Sequence, residues 1–182
     1  ASTTEVWVMA PMVSTVSEAA EFVTQAHDHG LLQAGVMVEV PALALRANDV
    51  AKVVDFFSIG TNDLCQYVSA SDRTIGVLSD LLDHWQPAVV RLIRDVMDAA
   101  NTEAIPVGVC GESASDPLFA LVLVGLGASS LSMSAAALPL VRASLSAHSL
   151  KDCRKIAEIA LTADDPLGAR RSVAESARIP LT

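Results

Sequence analysis

Compact apolar runs alternate with longer stretches of helical periodicity along most of the chain. Residues 6–10 (VWVMA), 35–39 (GVMVE), 54–59 (VDFFSI), 106–110 (PVGVC) and 131–134 (LSMS) predict five short strands. Between the first two, Thr15 and Glu18 form a capping box ahead of Val16, Ala19, Ala20, Phe22 and Val23 at helical spacing, and Gly30 ends that helix. Pro41 suits the first turn of a helix running to about residue 52, and another helix begins near Asn62. Pro87 opens a long amphipathic helix, and Asp116-Pro117 caps one that Gly127 ends. After the fifth strand only helices are expected, over residues 136–146, 149–162 and 166–178.

Strand and helix in repeated alternation predict an α/β fold with a parallel sheet covered by helices. The strands are nearly continuous apolar runs, as expected when both sheet faces are buried. A doubly wound sheet and a (β/α)8 TIM barrel both fit this pattern. A closed barrel needs eight strands and typically about 250 residues. Under the barrel reading these 182 residues supply about the last five strands with C-terminal helices, and three strands are missing on the N-terminal side. The whole chain, 1–182, then reads as the C-terminal part of one incomplete barrel domain.

Composition narrows the partners. The chain is 52% hydrophobic, 18% charged and carries a net charge of -9. No run of Lys or Arg offers a nucleic-acid surface. Residues 117–141 hold no charge, but Gly125, Gly127, Pro139 and four serines interrupt them, so no membrane insertion is expected. Three dispersed cysteines (Cys65, Cys110, Cys153) argue against a disulfide framework or a zinc site, and a reducing cytoplasm is the expected location. The N-terminal residues lack the charged-then-apolar layout of a signal peptide.

In both architectures functional residues belong at the carboxyl ends of strands. Glu39 ends the second predicted strand, Gly60-Thr61-Asn62-Asp63 follows the third, and Cys110-Gly111-Glu112 ends the fourth. Glu39 alone reads equally as a solvated loop carboxylate, and Asp63 alone as a helix cap. On neighbouring strands about 4.8 Å apart, the two carboxylates can converge on one Mg2+. Gly60 and Thr61 before a helix start suit an anion. Cys110 is either a small buried hydrophobe or a reactive thiol. Arg73 is either paired to Asp72 on the surface or a clamp for phosphate oxygens. His27, His29, His84 and His148 avoid the strand ends and are expected to be solvated, while Cys65 and Cys153 fall within helical patterns and read as structural.

At these same residues the sequence resembles the phosphoenolpyruvate-utilising enzymes, and among them the enzyme I type of the bacterial sugar phosphotransferase system. The matching blocks are MAPM (9–12), GVMVEVPA (35–42), DFFSIGTNDLCQY (55–67), SDR (71–73), GVCGE (108–112) and SLSMSA (130–135). The last block is closer to enzyme I than to pyruvate phosphate dikinase or phosphoenolpyruvate synthase, which share the others. The resemblance implies a (β/α)8 barrel, here strands four to eight, in which Glu39 and Asp63 hold Mg2+. It implies that Asn62 and the Asp63 backbone touch phosphoenolpyruvate, that Arg73 binds its phosphate, and that Cys110 protonates the enolate to give pyruvate. It further implies phosphoryl transfer to a histidine on a separate N-terminal domain, then to the histidine phosphocarrier protein, and a homodimer built on the barrel. The chain departs from the family where Thr74 and Ile75 replace the usual Gly-Asn, where Leu82-Asp83-His84 replaces Tyr-x-Pro, and where Cys65 replaces Thr. Without the phosphohistidine domain the chain alone is expected to be inactive. A dikinase or synthase fragment, or a non-catalytic dimerising relative, is the alternative.

Overall fold

The computed structural model describes residues 4–71 and 81–178. Five strands, β1 (Trp7–Ala10), β2 (Gln33–Val38), β3 (Phe57–Gly60), β4 (Val107–Cys110) and β5 (Ser130–Leu131), form one sheet in the order β1-β2-β3-β4-β5. Every neighbouring pair is parallel. A doubly wound sheet reverses direction at a switch point. Here each crossover carries the chain one strand further the same way, which is the arc of a (β/α)8 barrel.

The helices form where the pattern places them. In α1 (Val16–Asp28) Thr15 Oγ1 accepts from the Glu18 amide, and the Glu18 carboxylate takes the amides of Ser14 and Thr15. Its Ala19, Val23 and Ala26 turn inward over the sheet. The expected helix from Pro41 divides into α2 (Pro41–Ala44) and α3 (Ala47–Val50), because Arg46 leaves the helical region (φ -110°, ψ 17°) and pairs with Asp49. Then come α4 (Thr61–Val68), α5 (Pro87–Thr102) and a short α6 (Glu112–Ser115) that is too brief for any periodicity to announce. Strand β5 covers only Ser130–Leu131, against the expected 131–134.

The uncharged stretch folds back on itself. Its first part is α7 (Pro117–Leu126), apolar all round and buried on several sides. It is covered by α8 (Leu138–Ser146), α9 (Leu150–Leu161) and α10 (Pro166–Ala177). Among the described residues no helix is long and apolar enough to cross a membrane.

Asp116 ties this helical layer to the loop before α5. Its Oδ1 accepts the Leu118 and Phe119 amides at 2.9 and 3.3 Å, capping α7. Its Oδ2 takes the indole N–H of buried Trp85 at 3.2 Å and His84 Nε2 at 3.3 Å. Trp85 and Phe119 meet edge to face with centroids 4.7 Å apart. Burial pushes the Asp116 carboxyl up, but the His84 hydrogen bond, the two amides and the His84 charge outweigh it and hold the group at about 2 instead of 3.8. A depressed folded-state value means the contribution is complete above 3.8 and is lost as pH falls through about 2. Asp116→Ala should destabilise the chain by roughly 2–4 kcal/mol, from a lost cap and an orphaned indole N–H. Denaturant unfolding at neutral pH measures this, and the deficit against wild type should shrink across the acid window.

Candidate active site

The carboxyl ends of β2, β3 and β4 share one rim. Gly60 pairs with Cys110 across β3 and β4, and Val38 pairs with Ile59 across β2 and β3. One more step in the β2–β3 register sets Glu39 opposite Gly60. Opposed positions on parallel neighbours face the same way, so Glu39 and Cys110 flank a residue without a side chain, two strand spacings or about 10 Å apart. A Cβ on Gly60 would lie 2.9 Å from Glu39 Oε2 and 3.0 Å from Met37 Sδ. The missing side chain is the room the Glu39 carboxylate uses.

Glu39 is only 3% exposed. Its Oε1 accepts the Met12 amide at 2.7 Å, a short charge-assisted bond that offsets part of the desolvation cost. Asp63 lies in the first turn of α4, half-buried. Cys110 is also half-buried, and its thiol donates to the Ile59 carbonyl at 3.5 Å. Burial pushes this thiol above its ordinary 9.0. A hydrogen bond from Ser58 Oγ at 3.9 Å pulls the other way, and the negative charges of Glu39 and Asp63 push it up again. The three groups therefore sit within one electrostatic neighbourhood. At neutral pH Cys110 is a protonated thiol, equipped to give a proton rather than to attack as a thiolate.

Asn62 is exposed at the start of α4, and its Oδ1 accepts the Glu112 amide at 3.0 Å. Because that partner can only donate, the orientation of the Asn62 amide is settled: Nδ2, a pure donor, is the end suited to an anionic oxygen. The Thr61 side chain has a role of its own. It is 1% exposed and its hydroxyl turns inward, to the Cys110 carbonyl at 3.0 Å and to Ser113 Oγ at 2.7 Å. Ser113 lies in no matching block, and Ser58 lies inside the 55–67 block without being singled out there. Each lies about fifty residues from its partner and gains meaning only from the strand register.

Glu39 and Asp63 supply hard oxygen donors. Among the described residues no group of three or more His, Cys, Asp or Glu side chains is arranged to hold a metal ion. Two carboxylates suit Mg2+, which commonly takes one or two and completes its shell with water and phosphate oxygens. They do not suit zinc, which requires three or four protein ligands.

Arg73 belongs to residues 72–80, outside the described residues. The histidines correct the expectation of solvation in part. His27 pairs with Asp55 at 2.8 Å near the surface, whereas His84 and His148 are half-buried and hydrogen-bonded, to Asp116 and to the Ser144 and Ala177 carbonyls. None lies on the rim. Cys65 and Cys153 are buried within α4 and α9. A cavity of about 890 Å³ between α8, α9 and α10 is lined in part by His148 but lies apart from the rim and touches none of Glu39, Asn62, Asp63 or Cys110.

The turn after Cys110 needs glycine. Gly111 has φ 95° and ψ -170°, and a Cβ there would stand 2.8 Å from both Asn62 Oδ1 and Thr61 Oγ1. Gly111→Ala should cost about 1–3 kcal/mol from backbone strain alone and push the two loops apart. Thermal unfolding checks the cost.

The sequence and fold also match known proteins. The family model described as "PEP-utilising enzyme, PEP-binding domain" matches residues 1–150. A phosphoenolpyruvate-protein phosphotransferase of Streptomyces coelicolor is 49% identical over 164 residues, covering 90% of this chain and 30% of that protein. A protein of the same name from Haloferax volcanii is 45% identical, covering 86% and 30%. A multiphosphoryl transfer protein of Xanthomonas campestris is 42% identical over 85% of this chain and 19% of its own length. The chain thus spans less than a third of these relatives. Among solved structures, a citrate lyase from Burkholderia xenovorans superposes with a TM-score of 0.57 at 16% identity, covering 97% of this chain and 65% of that one. That likeness concerns the fold alone.

Proposed function

The chain belongs to the family of PEP-utilising enzymes, PEP-binding domain, and from that premise we propose that it is the phosphoenolpyruvate-binding part of a phosphoenolpyruvate-protein phosphotransferase. In this reading residues 1–182 form the C-terminal part of a TIM-barrel domain within a longer protein. The observation that carries the proposal is the placing of the Cys110 thiol on the same sheet face as buried Glu39, with side-chain-free Gly60 between them. A proton donor on one side and cation-binding carboxylates on the other are the equipment for making and quenching an enolate.

Glu39 and Asp63 would hold Mg2+, which supplies charge neutralisation at the phosphate and enolate oxygens when bound. Asn62 presents Nδ2 to an anionic oxygen of phosphoenolpyruvate, with its Oδ1 anchored by the Glu112 amide. The family resemblance assigns the phosphate also to Arg73 and the Asp63 backbone. Loss of the phosphoryl group leaves an enolate. Cys110 gives its proton to the methylene carbon: the S–H bond breaks, a C–H bond forms, and the electron pair stays on sulfur. Ser58 Oγ, 3.9 Å away, is the hydroxyl placed to hydrogen-bond the resulting thiolate.

For the whole protein the resemblance adds a histidine on an N-terminal domain as phosphoryl acceptor, the histidine phosphocarrier protein as the next, a homodimer and a cytoplasmic setting. With about 30% of the relatives' length present, the chain alone should not turn over.

In the full-length protein Cys110→Ala should still take phosphate from phosphoenolpyruvate but form pyruvate about 10²–10⁴-fold more slowly. A coupled pyruvate assay beside phosphoryl labelling separates the two steps. Unchanged pyruvate formation would remove Cys110 from its role. A wild-type protein that dimerises but never takes the label would instead support a non-catalytic relative.

A further inference from the structure

The junction between β3 and α4 carries the substrate-facing Asn62 and Asp63, while the junction between β4 and α6 carries the proton donor Cys110. The two are held together by hydroxyls that face no solvent. Thr61 Oγ1 lies 3.0 Å from the Cys110 carbonyl and 2.7 Å from Ser113 Oγ, with Thr61 at 1% and Ser113 at 0% exposure. Only one of these two hydroxyls has to donate to the other, so Thr61 can give its hydrogen to the carbonyl while Ser113 gives its own to Thr61. Both groups are then satisfied without water. The Asn62–Glu112 bond at 3.0 Å runs alongside, and Gly111 lets the turn come this close.

We infer that Thr61 and Ser113 are positioning residues for the proton transfer: their buried hydroxyl pair sets where Cys110 stands relative to the substrate held by Asn62 and Asp63. This rests on the reading of the site given above. The chemistry supports a geometric rather than a merely cohesive role. The bond from Thr61 goes to the carbonyl of Cys110 itself, so a shift of that peptide moves the thiol directly. Thr61 is also adjacent in sequence to Asn62, so the same residue sets the other side of the gap. Proton transfer to carbon is sensitive to such offsets, and a displacement near 1 Å can cost about a hundredfold. Binding of phosphoenolpyruvate, which uses the Asn62 side chain and the Mg2+ held by Glu39 and Asp63, should depend on the pair much less.

The test uses the full-length protein with Mg2+ and three readouts: deuterium uptake at the pyruvate methyl group by proton NMR, phosphoenolpyruvate affinity by calorimetry, and the unfolding midpoint. Methyl exchange runs the protonation step in both directions and needs no phosphoryl acceptor. Thr61→Val keeps the shape and removes the hydroxyl. It should lower exchange about ten- to a hundredfold while affinity stays within about threefold. Thr61→Ser should restore exchange to within about threefold of wild type. Exchange unchanged in Thr61→Val, or lost equally in Thr61→Ser, would overturn the inference. So would a fall in affinity as large as the fall in exchange. Should Thr61→Val not fold, Ser113→Ala keeps the Thr61–Cys110 bond and is predicted to lower exchange severalfold, and a wild-type rate there would also overturn it. Wild-type protein that catalyses no exchange and takes no phosphate would refute the functional reading and the inference with it. An active wild type with an indifferent Thr61→Val refutes the inference alone.

Discussion

One rung of the sheet organises the site. Parallel register sets Cys110 opposite Gly60, and carried one residue further it sets Glu39 opposite Gly60 from the other side. An acid, a gap and a carboxylate then stand in line across three strands. A slip of one residue in either pairing would turn Glu39 or Cys110 to the opposite face of the sheet. The helices follow from the same constraint: α4 and α6 start directly after β3 and β4, so their first turns fall beside the rung and bring Asn62, Asp63 and Glu112 to it.

Much of this is legible in the sequence because parallel strands buried on both faces write themselves as short apolar runs. The end of each run marks the rim where a site is expected, and Glu39 and Cys110 stand out by closing two of those runs. The strand order, from which the barrel arc follows, is not legible, since a doubly wound sheet produces the same alternation. Local rules fail where elements are short. Arg46 breaks an apparently continuous helix, α6 has four residues, and β5 has two. The long uncharged segment misleads in isolation because α7 is apolar on every side. It is covered by α8, α9 and α10 rather than by lipid.

The supporting partners of the site are invisible in the sequence for a different reason. Thr61 meets Ser113, and Ser58 meets Cys110, across fifty-two residues each. A lone serine or threonine carries no signal of such a partner. By its position Thr61 resembles part of an anion-binding helix start, yet its hydroxyl closes the gap between two loops. The position of His84 likewise suggests a solvated ring, whereas its bond to Asp116 depends on how the loop before α5 packs on α7. Sequence therefore points to the groups proposed to react, and the fold supplies the contacts around them.

The most direct measurement is a calorimetric titration of the full-length protein with phosphoenolpyruvate, with and without Mg2+, in wild type and Glu39→Gln. The account predicts one saturable site in wild type that needs Mg2+ and that Glu39→Gln abolishes or severely weakens. Binding of the same strength without Mg2+, or undiminished in Glu39→Gln, would contradict the claim that the Glu39–Gly60–Cys110 rung is where phosphoenolpyruvate is held.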